Sequence, residues 1–310
     1  MNKFFYFFIT TFLIATCFLS IYLGSENFSN INWLMELRLP RVLLAASVGG
    51  LLAICGLVLQ AIFSNPLCEP YVLGVSSGAT LGIVLAEFLG VYYDFAGMSF
   101  SGLLGALFFS FILLYWAKSN RISQVQLILV GVMLNFFGSS LVGLIMVLLH
   151  PSGIEGVIYW MLGDLSKAEI GSSICAFVVL IASVVFLLKQ SKNLDALYLG
   201  NEFARGVGIN TLKLRTMMVL WSGIVVSISV SLCGMIGFVG LLLPHLIRKK
   251  QGILFKNTVY PTAVLGSVFL VFCDLVSRNI YPPKEFPIGV ITALVGAPTF
   301  LYVLIRKNKT

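Results

Sequence analysis

The sequence predicts an all-α membrane protein that crosses the bilayer about ten times and forms a single domain over residues 1–310. Of its 310 residues, 59% are hydrophobic and only 10% are charged, whereas a soluble domain carries about 25% charged residues. Apolar runs of about 20 residues recur, and each is long enough to cross a hydrocarbon layer of roughly 30 Å. Because a membrane bundle needs no separate aqueous core, the length does not indicate two domains.

Ten apolar segments follow one another along the chain. They lie at 4–23, 42–63, 71–90, 100–117, 125–149, 171–188, 215–234, 236–247, 258–276 and 287–305. The first is longer than the apolar core of a signal peptide and has no small-x-small cleavage pattern at its end, so we predict an uncleaved helix. The eighth segment is too short to span the bilayer unaided.

The distribution of basic residues predicts the orientation. An even number of spans puts both termini on one side, and if that side is the cytosol, the inside segments hold fifteen Lys and Arg residues against five outside. Because Lys and Arg favour cytoplasmic segments, we predict a multi-pass protein of the cytoplasmic membrane with both termini in the cytosol. Three outside exceptions, Arg38, Arg41 and Arg278, lie beside helix ends. These arginines either extend their side chains to the lipid headgroups (snorkelling) or have a functional role, and the sequence leaves both alternatives open.

The connections between the apolar segments carry further signals. Two prolines and an asparagine within 63–71 predict a tight reversal. The stretch 150–169 is amphipathic and contains a tryptophan, which favours a short interfacial helix at the outer mouth. Asp274 and Glu87 lie near predicted helix ends, where we place both at the membrane interface. No series of buried carboxylates suited to proton relay is predicted, which counts against an ion-coupled transporter.

Two adjacent stretches interrupt the apolar pattern. The segment 199–215 is charged, and Leu199, Phe203 and Val207 repeat in it at four-residue spacing, which predicts one or two short helices on the cytosolic face. An ordinary amphipathic linker is the alternative. The glycine-rich stretch 234–248, GMIGFVGLLLPHLIR, then predicts an outer reversal followed by a short helix that returns to the cytosol.

The sequence contains no pattern for bond-making chemistry. Its six cysteines form no CxxC pair, and its two histidines have no His, Cys or carboxylate neighbours at metal-ligand spacing. No Walker motif occurs, so nucleotide must be hydrolysed elsewhere. We therefore predict no catalytic residue, no metal site and no directly bound cofactor. Two competing classes remain: an ion-coupled secondary transporter, and an intramembrane enzyme, whose paired catalytic residues do not occur in the sequence.

Five sequence blocks carry a family resemblance. They are RLPR at 38–41, NPLCEPYVLGVSSGA at 65–79, LGNEFARGVGIN at 199–210, GMIGFVGLLLPHLIR at 234–248 and FPIGVITALVGAPTF at 286–300. With these blocks in this order, the chain resembles the FecCD-type permease subunits of ATP-binding-cassette (ABC) importers, which carry iron-siderophores, haem, cobalamin and related metal chelates. The blocks extend over nearly the whole chain, and they are specific for the family but not for the substrate.

The resemblance implies a set of partners. A ten-helix subunit of this kind pairs with a second permease, identical or related, and with two cytosolic ATPase subunits that use ATP and Mg. A periplasmic or lipid-tethered binding protein delivers the substrate; membrane lipid is the other expected partner, and nucleic acid is not expected. The implied function is import of a metal chelate, with iron-siderophore first by family frequency and cobalamin or haem as alternatives.

The resemblance also implies roles for particular residues. ATPase coupling is expected within 199–215, at Leu199, Gly200, Glu202, Ala204, Arg205 and Gly208. Docking of the binding protein through its glutamates is expected at Arg38, Arg41 and Arg278. A translocation path between two subunits is expected along the fifth and tenth helices, with Gln126, Met133, Asn135, Thr292 and Thr299 facing it and short outer helices near 154–162 and 280–286.

Overall fold

The computed structural model describes residues 3–22, 34–91, 95–119, 122–282 and 284–307. Within these ranges the chain forms twelve α-helices and no β-strand, which confirms the all-α class. The helices are α1 Lys3–Tyr22, α2 Leu39–Ile62, α3 Val75–Phe88, α4 Phe95–Ala117, α5 Gln124–Met146, α6 Pro151–Met161, α7 Ile170–Tyr198, α8 Asn201–Gly206, α9 Thr211–Cys233, α10 Val239–Gln251, α11 Phe255–Asn279 and α12 Ile288–Lys307. A π-helical turn, Leu34–Arg38, leads into α2, and a 3-10 turn, Pro70–Leu73, leads into α3.

The ten predicted membrane segments correspond, in order, to α1–α5, α7 and α9–α12. Among the described residues, seven of these helices are long and apolar enough to cross a bilayer: α1, α2, α4, α5, α7, α9 and α11. The other three are α3 with 14 residues, α10 with 13, and α12, whose apolar part is limited to Ile288–Val303. The 13 residues of α10 extend only about 20 Å along the helix axis, as its short apolar run predicts.

Two short helices lie outside the ten segments. The helix α6 occupies the predicted amphipathic stretch 150–169, and α8 lies within the charged segment 199–215. The second outer helix, expected near 280–286, is not found among the described residues of that stretch, 280–282 and 284–286. There α11 ends at Asn279, and Tyr281 and Lys284 make an isolated β-bridge instead. The sequence has two prolines in this stretch and a third directly after it, at position 287; prolines remove backbone donors and restrict φ, which is consistent with an irregular connection.

The second helix is the centre of the bundle. Of its membrane-spanning window, 89% is buried inside the protein, compared with 17% for α1. It packs against α7, α9, α10 and α11, whereas α3, α4 and α5 form a neighbouring group in which α4 also contacts α9. The apolar residues of α2 contribute to both hydrophobic clusters of the core.

Glycines let the backbones of α2, α10 and α11 approach closely. A Cβ atom added to Gly56 of α2 would lie 1.9 Å from the carbonyl oxygen of Gly240 in α10. At the crossing with α11, a Cβ atom on Gly49 would lie 2.3 Å from the carbonyl oxygen of Gly266. Helices in lipid associate through such close van der Waals contact, so the small residues of α2 have the packing role that the sequence predicts.

The connection between α2 and α3 turns back into the protein instead of remaining at its surface. After α2 ends, the Asn65 N–H donates to the Gln60 carbonyl, and Pro70 then lies against Gly240 of α10. The Tyr71 carbonyl accepts a hydrogen bond from the Asn135 amide of α5. The third helix therefore begins beside α10 and is only 14 residues long.

We expect the substitution Gly56→Ala to destabilise the bundle by about 1–3 kcal/mol, because the added methyl group overpacks the contact with Gly240. The measurement is the thermal unfolding midpoint of the permease in detergent micelles, followed by size-exclusion chromatography. The control is Gly143→Ala on α5, where an added Cβ atom meets nothing within 4 Å. Equal midpoints for the two variants would contradict the role of Gly56 in helix packing.

Candidate functional site

Four charged side chains from α2, α11 and the connection before α12 form an ionic cluster: Arg41, Asp274, Arg278 and Glu285. Arg41 donates from Nε to Asp274 Oδ1 and from Nη1 to Glu285 Oε2, both at 2.8 Å. Arg278 Nη2 lies 3.1 Å from Asp274 Oδ2, an ion pair without hydrogen-bond geometry. Asp274 is 0% exposed, and a buried carboxylate costs several kcal/mol unless it is paired. The two arginines supply that pairing.

Asp274 lies near the end of its helix, as predicted, and its position at the membrane interface stays a prediction. Its side chain is completely buried among protein groups, because two arginines from different helices converge on it. Arg41 and Arg278, predicted to dock a binding protein, are themselves buried. Arg38 is partly exposed and donates to the Ile21 carbonyl. The docking role of all three arginines stays a prediction.

The glycine-rich stretch after α9 forms the predicted reversal. The helix α9 ends at Cys233, Gly234 adopts a left-handed φ of 71°, and α10 begins after Phe238. Two backbone donors of the reversal bond to side chains from the proline-containing connection: Phe238 N–H to Glu69 Oε1 at 2.6 Å, and Ile236 N–H to Tyr71 Oη at 2.8 Å. Burial raises the pKa of the Glu69 carboxyl, and the Phe238 hydrogen bond partly opposes that rise.

Phe238 joins this reversal to α12. Its φ of 69° is left-handed, a conformation that costs a residue with a side chain about 1–2 kcal/mol. A Cβ atom added to Gly296 of α12 would lie 2.5 Å from the Phe238 Cβ, so the ring is held directly against the α12 backbone. Backbone strain of this kind persists only where the surroundings enforce it, and it concentrates at functional sites.

The reversal is also tied to the segment that follows α6. The Asp164 N–H donates to the Cys233 carbonyl at 3.0 Å, and the Gly289 N–H of α12 donates to the Leu162 carbonyl at 3.0 Å. The carbonyl oxygen of Trp160 would lie 2.2 Å from a Cβ atom on Gly234, which therefore has to be glycine. The ends of α6, α9 and α12 thus meet in one hydrogen-bonded junction.

Residues 199–210 belong to the region 199–215 where ATPase coupling is predicted, and they are called the coupling segment; they contain the short helix α8, as their periodicity predicts. Leu199, Phe203 and Val207 are 60%, 51% and 57% exposed, and their four-residue spacing puts them on one face of the segment that includes α8. Ala204 is buried beneath that face. Two glycines with positive φ lie on either side of α8: Gly200, with φ of 128°, and Gly208, with φ of 83°.

Hydrogen bonds hold the coupling segment against the start of α9. Within the segment, the Ile209 N–H donates to the Ala204 carbonyl at 2.9 Å. Arg215 of α9 donates to the Asn201 side chain at 3.1 Å. Glu202 and Arg205 are exposed beside the apolar face. An exposed apolar surface rimmed by charged groups, on a segment fixed to two long helices, is suited to contact with another protein.

The five residues predicted to line a translocation path lie on α5 and α12, and most of their polar groups already have partners. Gln126 forms a capping box with Ser123 at the start of α5. Asn135 donates to the Tyr71 carbonyl at 2.9 Å and so supports the turn before α3. Met133 is exposed. Thr292 and Thr299 donate to carbonyls of their own helix, and Thr292 is buried. Their assignment to a path stays a prediction.

Within the described residues, no three His, Cys, Asp or Glu side chains come together as ligands for a metal ion. All six cysteines are free thiols, and four of them are buried.

A model of the FecCD transport family matches residues 4–306. The chain belongs to the FecCD transport family. It is 34% identical over 297 residues to the ABC transporter permease protein YvrB of Bacillus subtilis, covering 93% of this chain and 82% of that protein. It is 33% identical to the vitamin B12 import system permease protein BtuC of Vibrio vulnificus, covering 96% and 89% respectively.

Among solved structures, a metal-chelate type ABC transporter in an inward-facing conformation matches with a TM-score of 0.88 and 31% identity. The match covers 97% of this chain and 99% of that chain. The predicted resemblance is confirmed: this FecCD protein is a multi-pass permease of the ABC importer class.

Sequence reasoning missed several residues of this FecCD permease that the structure brings together. Glu285 was not singled out, although it completes the ionic cluster. Glu69 and Tyr71 were placed in a separate turn, although they bond to the reversal more than 160 residues later. One signal was available for Asp274: a carboxylate four residues before Arg278 on an apolar helix predicts an ion pair.

We expect Asp274→Asn to lower the free energy of unfolding of this FecCD permease by about 3–5 kcal/mol, because it leaves buried guanidinium groups without their shared carboxylate. The measurement is unfolding by SDS titration in detergent micelles. The matched control is Glu285→Gln. Glu285 is 42% exposed, so its pairing with Arg41 contributes about 1 kcal/mol or less. If Asp274→Asn were no more destabilising than the control, the structural role of the cluster would be wrong.

Proposed function

We propose that this FecCD permease forms the membrane path of an importer for a bulky metal chelate, with iron-siderophore as the first candidate. The observation that carries the proposal is the structural match, at a TM-score of 0.88 over 97% of the chain, to a metal-chelate type ABC transporter. A second candidate is cobalamin, which the names of the Vibrio and Yersinia relatives favour. Haem is a third.

The energy for import comes from two ATPase subunits that use ATP and Mg. The chain contains no Walker motif of its own, and the exposed face of Leu199, Phe203 and Val207 offers these subunits an apolar contact. The coupling segment is fixed at both ends to long helices, α7 and α9, so movement of a bound ATPase is transmitted into the bundle. The change between outward- and inward-facing states is then a population shift between two packed arrangements.

The orientation follows from the distribution of charge. The end of the molecule that carries the coupling segment faces the cytosol together with both termini, as fifteen basic residues inside against five outside favour. The ionic cluster then lies at the outer face, where a periplasmic or lipid-tethered binding protein docks through glutamates. Arg38, the partly exposed arginine, contacts it most directly, whereas Arg41 and Arg278 are neutralised by Asp274 and Glu285 and act by fixing the ends of α2 and α11 at this face.

The path itself is completed by a second permease subunit. The helix α5 buries only a narrow stripe, Leu127, Gly131, Gly138 and Val142, in its own chain, and α12 also carries large exposed apolar side chains. These exposed faces, with Met133 among them, contact the second subunit or the substrate. A neutral, partly polar path suits a chelate that the binding protein has already selected.

Reconstitution with the ATPase and binding protein of the same host tests the substrate. We expect proteoliposomes to accumulate an iron-loaded siderophore only when ATP is enclosed with the ATPase, and to accumulate cyanocobalamin and haemin far more slowly. ATP-dependent uptake of cyanocobalamin alone would overturn the first candidate in favour of the second. Absence of ATP-dependent uptake of all three chelates would contradict the proposed function.

We expect Phe203→Ser to reduce both the amount of ATPase that co-purifies with the permease and substrate-stimulated ATP hydrolysis, each by about tenfold or more. Loss of a buried aromatic anchor at a protein interface typically costs 2 kcal/mol or more. The control is Leu254→Ser, a similarly exposed apolar residue in the short connection before α11. Equal ATPase retention by the two variants would reject the coupling role of Phe203.

A further inference from the structure

A cavity of about 570 Å³ lies between the ends of α2, α7, α10 and α12, at the end of the molecule that carries the coupling segment. Arg248 and Lys249, from the last turn of α10, line it together with Gln60 and Tyr198. Ile253 and Val303 give it an apolar wall. The proposed function assigns no role to this cavity.

Arg248 is held rigidly at the cavity. It donates from Nη1 to Gln60 Oε1 at 3.1 Å and from Nη2 to the Leu57 carbonyl at 2.8 Å. Its guanidinium carbon lies 5.3 Å from the centre of the Tyr198 ring, a cation–π distance. Its buried Nε donates to no group in the described part of the protein.

The positive charge of this cavity has no counter-ion among the described residues that line it. Arg41 and Arg278 share the Asp274 carboxylate, whereas Arg248 bonds only to neutral acceptors. Lys249 is exposed beside it and adds a second positive charge. A largely desolvated cation is normally paired, so the cavity favours an anion that approaches from outside the chain.

We propose that this cavity binds the phosphate of an anionic phospholipid headgroup, with Arg248 and Lys249 as its cationic contacts. A free phosphate compound would satisfy the same charges, but the apolar wall of Ile253 and Val303 favours a ligand that also carries acyl chains. Basic pockets between transmembrane helices, at the level of the lipid headgroups, have this composition. The inference does not depend on which chelate is transported.

Native mass spectrometry of the full-length permease, equilibrated with equal amounts of phosphatidylglycerol and phosphatidylcholine, tests the site. We expect the native chain to retain phosphatidylglycerol preferentially. Lys249→Gln should lower that preference about fivefold, and the charge reversal Lys249→Glu about twenty-fivefold, since each basic group near an anionic surface contributes about 1 kcal/mol. Because Lys249 is exposed, both variants should fold, which a size-exclusion profile checks.

The matched control is Lys256→Gln, an exposed lysine at the start of α11 that does not line the cavity and should leave the preference unchanged. A second measurement distinguishes a lipid headgroup from a free phosphate compound. It compares the thermal unfolding midpoint of the permease in sodium pyrophosphate with that in sodium chloride of equal ionic strength. Phosphatidylglycerol retention without stabilisation by pyrophosphate supports the lipid site. Stabilisation by pyrophosphate with equal retention of both lipids would overturn the lipid as occupant. Equal lipid preference of the Lys249 and Lys256 variants would overturn the site itself.

Discussion

Direct backbone contact between α2 and its neighbours α10 and α11 is the constraint on which the remaining structure depends. Helices gain little from the hydrophobic effect when lipid already surrounds them, so close dispersion contacts decide their association. Gly49 and Gly56 bring the three backbones together, and the ends of α2 then carry polar side chains to defined partners. Arg41 reaches Asp274 at one end, and Gln60 reaches Arg248 at the other. A small change in the position of α2 would alter both contacts at once.

The regular features of the fold could be predicted from the sequence because they depend on local composition. Apolar length predicts the ten segments, and the four-residue spacing of Leu199, Phe203 and Val207 predicts a short helix, which α8 confirms. Contacts distant in sequence could not be predicted in this way. The burial of Asp274 requires that α2 and α11 pack together with two arginines in register, and neither hydropathy nor charge count contains that information. For the same reason, the side-chain amide of Asn135 looks available when α5 is considered alone, but it donates to the Tyr71 carbonyl, 64 residues earlier in the chain.

The junction around Phe238 connects parts of the molecule that the proposed transport cycle requires to move together. Glu69 and Tyr71 fix the reversal from one side, the segment after α6 fixes it from another, and Phe238 contacts Gly296 of α12. The left-handed φ of Phe238 shows that packing outweighs local conformational preference here. Under the proposed function, α9 leads from the coupling segment directly into this junction, so a displacement at one end of α9 would reach α12 through this short series of contacts.

The shortness of α10 has a consequence for how the protein enters the membrane during synthesis. A helix of 13 residues with three basic side chains in its last turn is too short and too polar to partition into the bilayer independently. Its backbone is covered by α2 and by the proline-containing turn before α3, both of which are synthesised much earlier. We therefore expect α9 and α10 to insert as one hairpin that packs against α2. Insertion of this region then depends on the helices of the same chain that are synthesised earlier.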